Sequence, residues 1–571
     1  MSLEVAQDSS NGGNGHHNQA GNDVRHDTNG HVDPPAIVTF AFLSEHIPAP
    51  LLTEETARLL TAETGQPVVL VRFDAPGTNG AKANGTHDLP EQDNAAALDR
   101  ALRNQDGFHA LTVGMKNGAG SPAGIAGLLS ALSRRFRFVL LELVVNERPT
   151  PWVVEFLRRS DTAYLFLRAQ TQDIYHLDLV MREVRTPGRC GGVAVKPIAC
   201  LGEGEEIDGF DKLVQRIAGP VHAVLHGCPS GRPARDLSRP IRPAGHFQKD
   251  LRRLARELGG CQIGLALSSG AAKGFAHVGV IQVLEENGIE VDVIAGVSMG
   301  AYVGALWASG LDGGELEKLS REMEPRWALW TLIDPVFPPR RGFMRGFAVK
   351  KRLMRSIGHS RFADLARPLR IVAGNLATLE RVVFSSGEVA TAVHASIAVP
   401  GICVPITIDG ETYVDGGIVD PLPVDVLREM GVSRVIAVDV IPTPDRISYG
   451  QQAEEELTRH VETWRTRWFR KFFALDQQLN YFARGNVFEI LMRSIYGAQI
   501  RLAEASCRQA DLVLRPDICD NSWLDFRMPT KFIALGREAA ERHLDEIKAL
   551  VARREVNHER EHTPSTVATI A

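Results

Sequence analysis

Residues 296–300 read Gly-Val-Ser-Met-Gly, between the apolar run 291–295 and a helix-like stretch at 301–309. A strand, a sharp turn carrying one serine and then a helix is the arrangement that exposes a hydroxyl for nucleophilic attack. Gly296 and Gly300 suit it, because a Cβ beside so tight a turn would meet backbone. The helix start behind Ser298 presents unpaired N–H groups and a partial positive charge, useful to a developing oxyanion. Upstream, the apolar run 263–267 enters Ser268-Ser269-Gly270-Ala271-Ala272-Lys273-Gly274, and a helix follows over 275–287, closed by Gly288. A glycine-bearing loop at a helix start offers amides to anionic oxygen. This one lacks the spacing and final Lys-Ser/Thr of a nucleotide-binding loop; one crossover before the serine turn, it reads as an oxyanion hole on the neighbouring strand. The third motif is Asp415-Gly416-Gly417, where an aspartate leaves a strand directly into two glycines. Alone it would be a turn. In this order with the other two, it offers Asp415 as a proton acceptor at the C-terminal edge of a sheet, where α/β proteins place their chemistry.

A Ser-Asp-His triad is the rival arrangement. Its histidine would have to be His460 or His543, both in charged helical stretches that favour solvent. The position of the oxyanion loop one unit before the serine also favours a Ser-Asp pair.

With these motifs in hand, the chain resembles the patatin-like phospholipases, and among them the bacterial relatives of neuropathy target esterase. The resemblance covers about residues 261–548 and rests on Ser269 to Gly274, Gly296 to Gly300, and Asp415, Gly416 and Gly417. The segments 394–401 (His-Ala-Ser-Ile-Ala-Val-Pro-Gly), 421–424, 435–440, 510–516 and 523–526 are similar to further family hallmarks. The resemblance implies that Ser298 attacks an ester carbonyl while Asp415 takes its proton directly. Gly270 and Ala271 amides would hold the oxyanion, donors typically worth about 3–4 kcal/mol each. Partial burial would make Asp415 basic enough. The loop departs from the family's Gly-Gly-Gly-x-Arg-Gly: Ser269 and Ala271 each add a Cβ, and Lys273 keeps the charge without arginine's planar fork. If Ala271 needs a left-handed backbone, its Cβ costs about 1–2 kcal/mol.

The 571 residues carry a net charge of −5, so no nucleic-acid footprint appears. No apolar run reaches the ~18 residues of a membrane span. Residues 1–35, rich in Asn, Gly and His, lack the basic-then-apolar pattern of a signal peptide and read as a disordered leader. Seven cysteines without paired C-x-x-C spacing argue against a disulfide framework or zinc site, and no calcium loop is found; no cofactor or metal is expected. The expected location is the cytoplasm, with peripheral contact at the inner membrane face.

Residues 36–227 alternate apolar strands (37–42, 68–73, 110–113, 136–145, 162–167, 193–200) with helical segments (53–62, 125–133, 174–183), which argues a parallel sheet. This unit is similar to the central region of the same relatives, a degenerate nucleotide-binding α/β fold. No phosphate loop follows its first strand, and the 114–120 loop is a weak substitute, so a regulatory or docking role is expected. The expected architecture is α/β: a 228–260 linker joins this unit to a three-layer patatin-like hydrolase domain at 261–548, with its motifs in 264–440 and a polar tail at 549–571.

Two aromatic segments bear on the substrate. On a helix, Trp464, Trp468 and Phe472 align at four-residue spacing beside Arg465, Arg467 and Lys471. That pattern suits an anionic membrane surface, although apolar stripes usually face a core, and core packing is the favoured reading. Trp327, Trp330 and Phe337 would form a lipid-facing lip near the acyl pocket. The functional expectation is a serine hydrolase of phospholipid or lysophospholipid esters. The alternative is a non-catalytic lipid-binding or scaffold protein with a drifted oxyanion loop.

Overall fold

Strand segments filled almost without interruption by Val, Ile, Leu and Phe are buried on both faces, and here they build two sheets. The computed structural model describes residues 36–74, 87–88, 98, 100–114, 122–145, 148–185, 193–202, 205, 209–229, 245–325, 327–338, 340–441, 487–518 and 525–552. The first sheet contains β1 (Ala36–Phe42), β2 (Val68–Asp74), β3 (His87–Asp88), β5 (Phe108–Gly114), β6 (Phe138–Val144), β7 (Thr162–Leu167), β8 (Ala194–Leu201) and β9 (Ala223–His226), in the order β3-β5-β2-β6-β1-β7-β8-β9. These strands pair in parallel; β4 (Arg103–Gln105) runs antiparallel beside β5. Strands β1, β2, β5, β6, β7 and β8 coincide with the apolar runs, and helices Ala49–Thr64, Pro122–Ser133 and Thr171–Arg185 with the periodic segments. Short β3, β4 and β9 were not anticipated, being too brief for alternation to register.

The segment expected as a linker, 228–260, contains helix Gly245–Leu258. Phe247, Leu251, Leu254 and Ala255, at helical spacing, are buried in the first domain's core, where the helix packs on Ala49–Thr64. The Pro- and Arg-rich stretch before it masks that short period.

The second sheet runs in the order β14 (Ile406–Ile408), β15 (Glu411–Asp415), β12 (Leu369–Asn375), β11 (Val293–Val297), β10 (Ile263–Leu267), β16 (Arg434–Val438) and β17 (Leu512–Leu514), with β13 (Arg381–Phe384) beside β12. Its parallel centre is β10, β11, β12, β16 and β17. Against β12 run β13 and β15 in antiparallel sense, and β14 does the same against β15. Alternation splits β10 between two cores: Ile263, Leu265 and Leu267 join one helical layer, Ala266 the other. Helices Ala276–Glu286 and Met299–Ala308 cover the first face and helix Val424–Glu429 the second, giving three layers. Helix Pro529–Arg542 closes on Ala276–Glu286 with backbones touching: a Cβ at Gly279 would fall on the Ile533 carbonyl, and one at Gly536 on that of Ala276. No helix among the described residues is long and apolar enough to cross a membrane.

Candidate active site

Strand β11 ends at Val297, and Ser298 turns the chain into helix Met299–Ala308 with φ 54° and ψ −118°. The turn leaves no room for side chains on either flank. A Cβ at Gly296 would lie 2.6 Å from the Gly300 carbonyl oxygen, and one at Gly300 would fall on the carbonyl of Leu267. Ser298 Oγ donates to Asp415 Oδ2 at 2.6 Å, and Gly417 N donates to Asp415 Oδ1 at 2.7 Å.

Asp415 ends β15, which runs antiparallel to β12, and still stands where the C-terminal end of parallel β11 delivers Ser298. Asp415 sits opposite Ala373, while Val372 sits opposite Val297, which brings Asp415 level with Ser298. Asp415 N donates to Ala398 O at 2.9 Å, and Gly416 packs so closely that a Cβ would fall on Val372 O. The carboxylate is buried, which lifts its pKa to about 6; the hydrogen bonds from Ser298 and Gly417 restrain the rise. Among the described residues no histidine bonds Asp415. His277 donates from Nε2 to Ser268 O, His394 from Nε2 to Arg345 O, and His543 from Nδ1 to Ala539 O, each at 2.9 Å. His460 lies outside the described residues.

The loop after β10 lies over the same helix start. Ser268 N donates to Val438 O, Ser269 N to Pro421 O, and Ser268 Oγ accepts from Val440 N. The short turn Ala271–Phe275 begins its own bonding only with Lys273 N to Gly270 O at 3.1 Å, and the Gly270 and Ala271 amides donate to no acceptor among the described residues. Ala271 has φ 48°, the left-handed conformation that its Cβ disfavours. Glycine is required at 270 and 274 by contact with Val440 and Met299 respectively. Lys273 is buried in the same turn.

Two further polar residues join the site. Ser396 Oγ accepts from Ser298 N at 2.8 Å and donates to Val372 O at 2.6 Å, fixing the strained turn to β12. Gln499, on helix Val487–Cys507, reaches Gly417: a Cβ there would lie 2.7 Å from Gln499 Nε2, 3.0 Å from Asp415 Oδ1 and 3.1 Å from Ser269 Oγ. Ser396 stands inside the 394–401 segment, which was a signal without a role; nothing local marks Gln499. Trp464, Trp468, Phe472 and the 115–120 loop lie outside the described residues.

The strained serine turn, the neighbouring amide-bearing loop and the buried Asp-Gly-Gly all lie on this three-layer α/β domain. Residues 265–428 match the family model described as patatin-like phospholipase, and this part of the chain is a patatin-like domain. It is related to proteins named Lysophospholipase NTE1: 29% identical over 310 residues to that of Yarrowia lipolytica, covering 52% of this chain and 20% of the other. To that of Saccharomyces cerevisiae it is 30% identical over 295 residues, covering 50% and 16%. The chain thus spans a fifth or less of the length of these relatives. Among solved structures, VipD from Legionella pneumophila is similar at TM-score 0.27 and 15% identity, over 50% of this chain and 67% of the other. The ParA family ATPase of Chlorobium tepidum is similar at TM-score 0.28 and 10% identity, over 39% and 92%. At those scores the likenesses add nothing to the fold read from strand order.

Proposed function

We propose that this chain is a serine esterase acting on phospholipid or lysophospholipid acyl esters through Ser298 and Asp415. The observation that carries the reading is the 2.6 Å hydrogen bond from Ser298 Oγ to a buried carboxylate whose pKa stands near 6. Above that pH Asp415 is ionised and accepts the Ser298 proton as Oγ attacks the ester carbonyl. The Gly270 and Ala271 amides receive the oxyanion, the alcohol leaves with the proton from Asp415, and an acyl-Ser298 ester remains. Water, deprotonated by the same carboxylate, attacks the acyl carbonyl; Ser298 Oγ then leaves with that proton from Asp415, freeing the fatty acid and restoring the pair. Ser269, Lys273, Gly274, Gly296, Gly300, Gly416 and Gly417 hold the three motifs in place and do not react. The names of the NTE1 relatives support lysophospholipids as substrates. The chain from β1 into helix Ala49–Thr64 passes through residues 43–48 without a glycine, which supports a regulatory or docking role for 36–227 over phosphate binding.

Hydrolysis of a nitrophenyl ester and of lysophosphatidylcholine, by wild type, Ser298→Ala and Asp415→Asn, tests the reading. Loss of both activities in both variants, with fluorophosphonate labelling of wild type alone or of wild type and Asp415→Asn weakly, is expected. A folded wild type that neither hydrolyses nor labels would overturn it in favour of a lipid-binding scaffold.

A further inference from the structure

The patatin-like domain carries a hairpin, described at 334–338 and 340–347, whose inner edge packs on 402–404 while several of its side chains are exposed. Val336 N donates to Phe343 O at 2.9 Å and Arg345 N to Asp334 O at 3.1 Å, with Pro335 and Met344 paired antiparallel between them. At its tip Phe337 is 96% exposed, and beside the hairpin Phe347 and Trp327 are 61% and 66% exposed. A single exposed apolar residue is ordinary, but a nearly fully exposed phenylalanine at a hairpin turn, with two more exposed aromatics within ten residues of it in sequence, is a candidate contact surface.

Charge names the partner. Arg340, Arg341 and Arg345 are exposed on the same hairpin, and no carboxylate among the described residues pairs with them. The hairpin's acid, Asp334, is turned inward: its carboxylate accepts from the amides of Arg345, Gly346 and Ala348, each at 3.0 Å, at the start of helix Phe347–Ile357. The outer face is therefore aromatic and cationic, the chemistry that inserts rings among acyl chains while guanidinium groups meet anionic headgroups.

Position ties this face to the site. Phe343 N and Met344 N both donate to Ile402 O, at 2.8 and 3.0 Å, and Val404 N donates to Met344 O at 2.8 Å. That seat continues the segment in which Ser396 holds Ser298 N and Ala398 O accepts from Asp415 N. We infer that this hairpin, through residues 334–338 and 340–347, docks the enzyme on an anionic lipid surface, presenting the Ser298–Asp415 site to lipids leaving that surface. The inference rests on the esterase reading for its purpose but not for its test.

The test is co-sedimentation with phosphatidylcholine vesicles, with and without phosphatidylglycerol, for wild type, Phe337→Ser, and Arg340→Glu with Arg341→Glu, alongside turnover of a soluble nitrophenyl ester. All substituted side chains are exposed, so folding stays unchanged, and the double charge reversal leaves soluble-ester turnover unchanged. Wild type is expected to bind the anionic vesicles and to weaken as salt rises. The double charge reversal lowers that binding about tenfold to a hundredfold, and Phe337→Ser lowers it about tenfold. Variants that bind like wild type would overturn the inference, as would dimerisation abolished by Phe337→Ser, which would assign the face to a second copy. A wild type that hydrolyses the soluble ester but ignores the vesicles overturns the docking surface alone. One that binds them but hydrolyses nothing supports the surface and overturns the esterase reading.

Discussion

Replacing Asp415 by Asn should stabilise the protein while abolishing its activity. Burial moves the Asp415 pKa from the ordinary 3.8 to about 6. At about 1.36 kcal/mol per pH unit, that displacement favours the neutral carboxyl by roughly 3 kcal/mol. Between about pH 4 and pH 6 the native protein holds a proton at this site that the unfolded chain has released, so stability falls as pH rises through the window, and the loss is complete above it. Asparagine does not ionise, and its oxygen can still accept the Gly417 amide while its amide faces Ser298 Oγ. At about pH 8 the variant should exceed wild type by about 1–3 kcal/mol, and near pH 4 the two should converge. Asp292 and Asp420, whose pKa values burial also raises to about 6, are common to both proteins and cancel in the difference. Paired urea or thermal transitions at the two pH values measure the gap, and kcat/KM should fall at least ~100-fold at all pH values with the base removed. In wild type, kcat/KM should drop about tenfold per pH unit below about pH 6, where Asp415 takes up its proton. A variant less stable than wild type at the higher pH, or a gap indifferent to pH, would refute the account of a desolvated carboxylate held ionised by the fold.

Three further substitutions probe the surrounding geometry. Ser396→Ala leaves both the Ser298 amide and the Val372 carbonyl without their buried partner; at about 1–3 kcal/mol for each orphaned group, melting should fall several degrees and fluorophosphonate labelling should slow, and an unchanged labelling rate would show that Ser396 does not hold the nucleophile. Ala271→Gly relieves the φ 48° backbone, about 1–2 kcal/mol, less about 0.4–1 kcal/mol for the freer unfolded chain; a slightly higher melting temperature with esterase activity retained is expected, and a lower one would contradict strain at this position. Gly300→Ala drives a Cβ into the Leu267 carbonyl and to 2.6 Å from that of Ser268, an overpacking of about 3 kcal/mol or more; soluble expression with normal labelling would contradict so close an approach of the turn to β10.

The parts of the site that could be read from sequence are those whose constraints are local. Gly296, Gly300 and Gly416 announce themselves because backbone must pass where a Cβ would lie, and such contacts are set within a few residues of strand and turn. Ser298 and Asp415 follow from the turns they occupy. The antiparallel sense of β15 was not legible, since a five-residue strand looks alike in either direction. Ser396 lies 98 residues from the amide it holds, and Gln499 comes from a helix whose sequence carries no mark of Gly417. Pairings of that kind depend on which elements the sheet order brings together, and no periodicity encodes them. Helix Gly245–Leu258 failed for a different reason, a real apolar stripe standing behind a Pro- and Arg-rich run that argues for a linker.

What these residues share is that each costs stability. Ser298 and Ala271 hold backbone angles that L-residues avoid, and Asp415 carries its charge where water does not reach. Together these amount to several kcal/mol, comparable with the whole net stability of an ordinary domain. The surroundings over-determine each one: Ser396 fixes the Ser298 amide, and the Gly417 amide fixes Asp415. The Val440 and Pro421 contacts fix the loop that carries Ala271. A packing accident would leave one strained residue where the chain could not relax. Three such residues from three separate motifs, two of them joined by the Ser298–Asp415 hydrogen bond, are the pattern expected where a fold gives up stability for the proposed chemistry. That trade is why Asp415→Asn, the most conservative change available at the site, is the one expected to raise stability and remove function together.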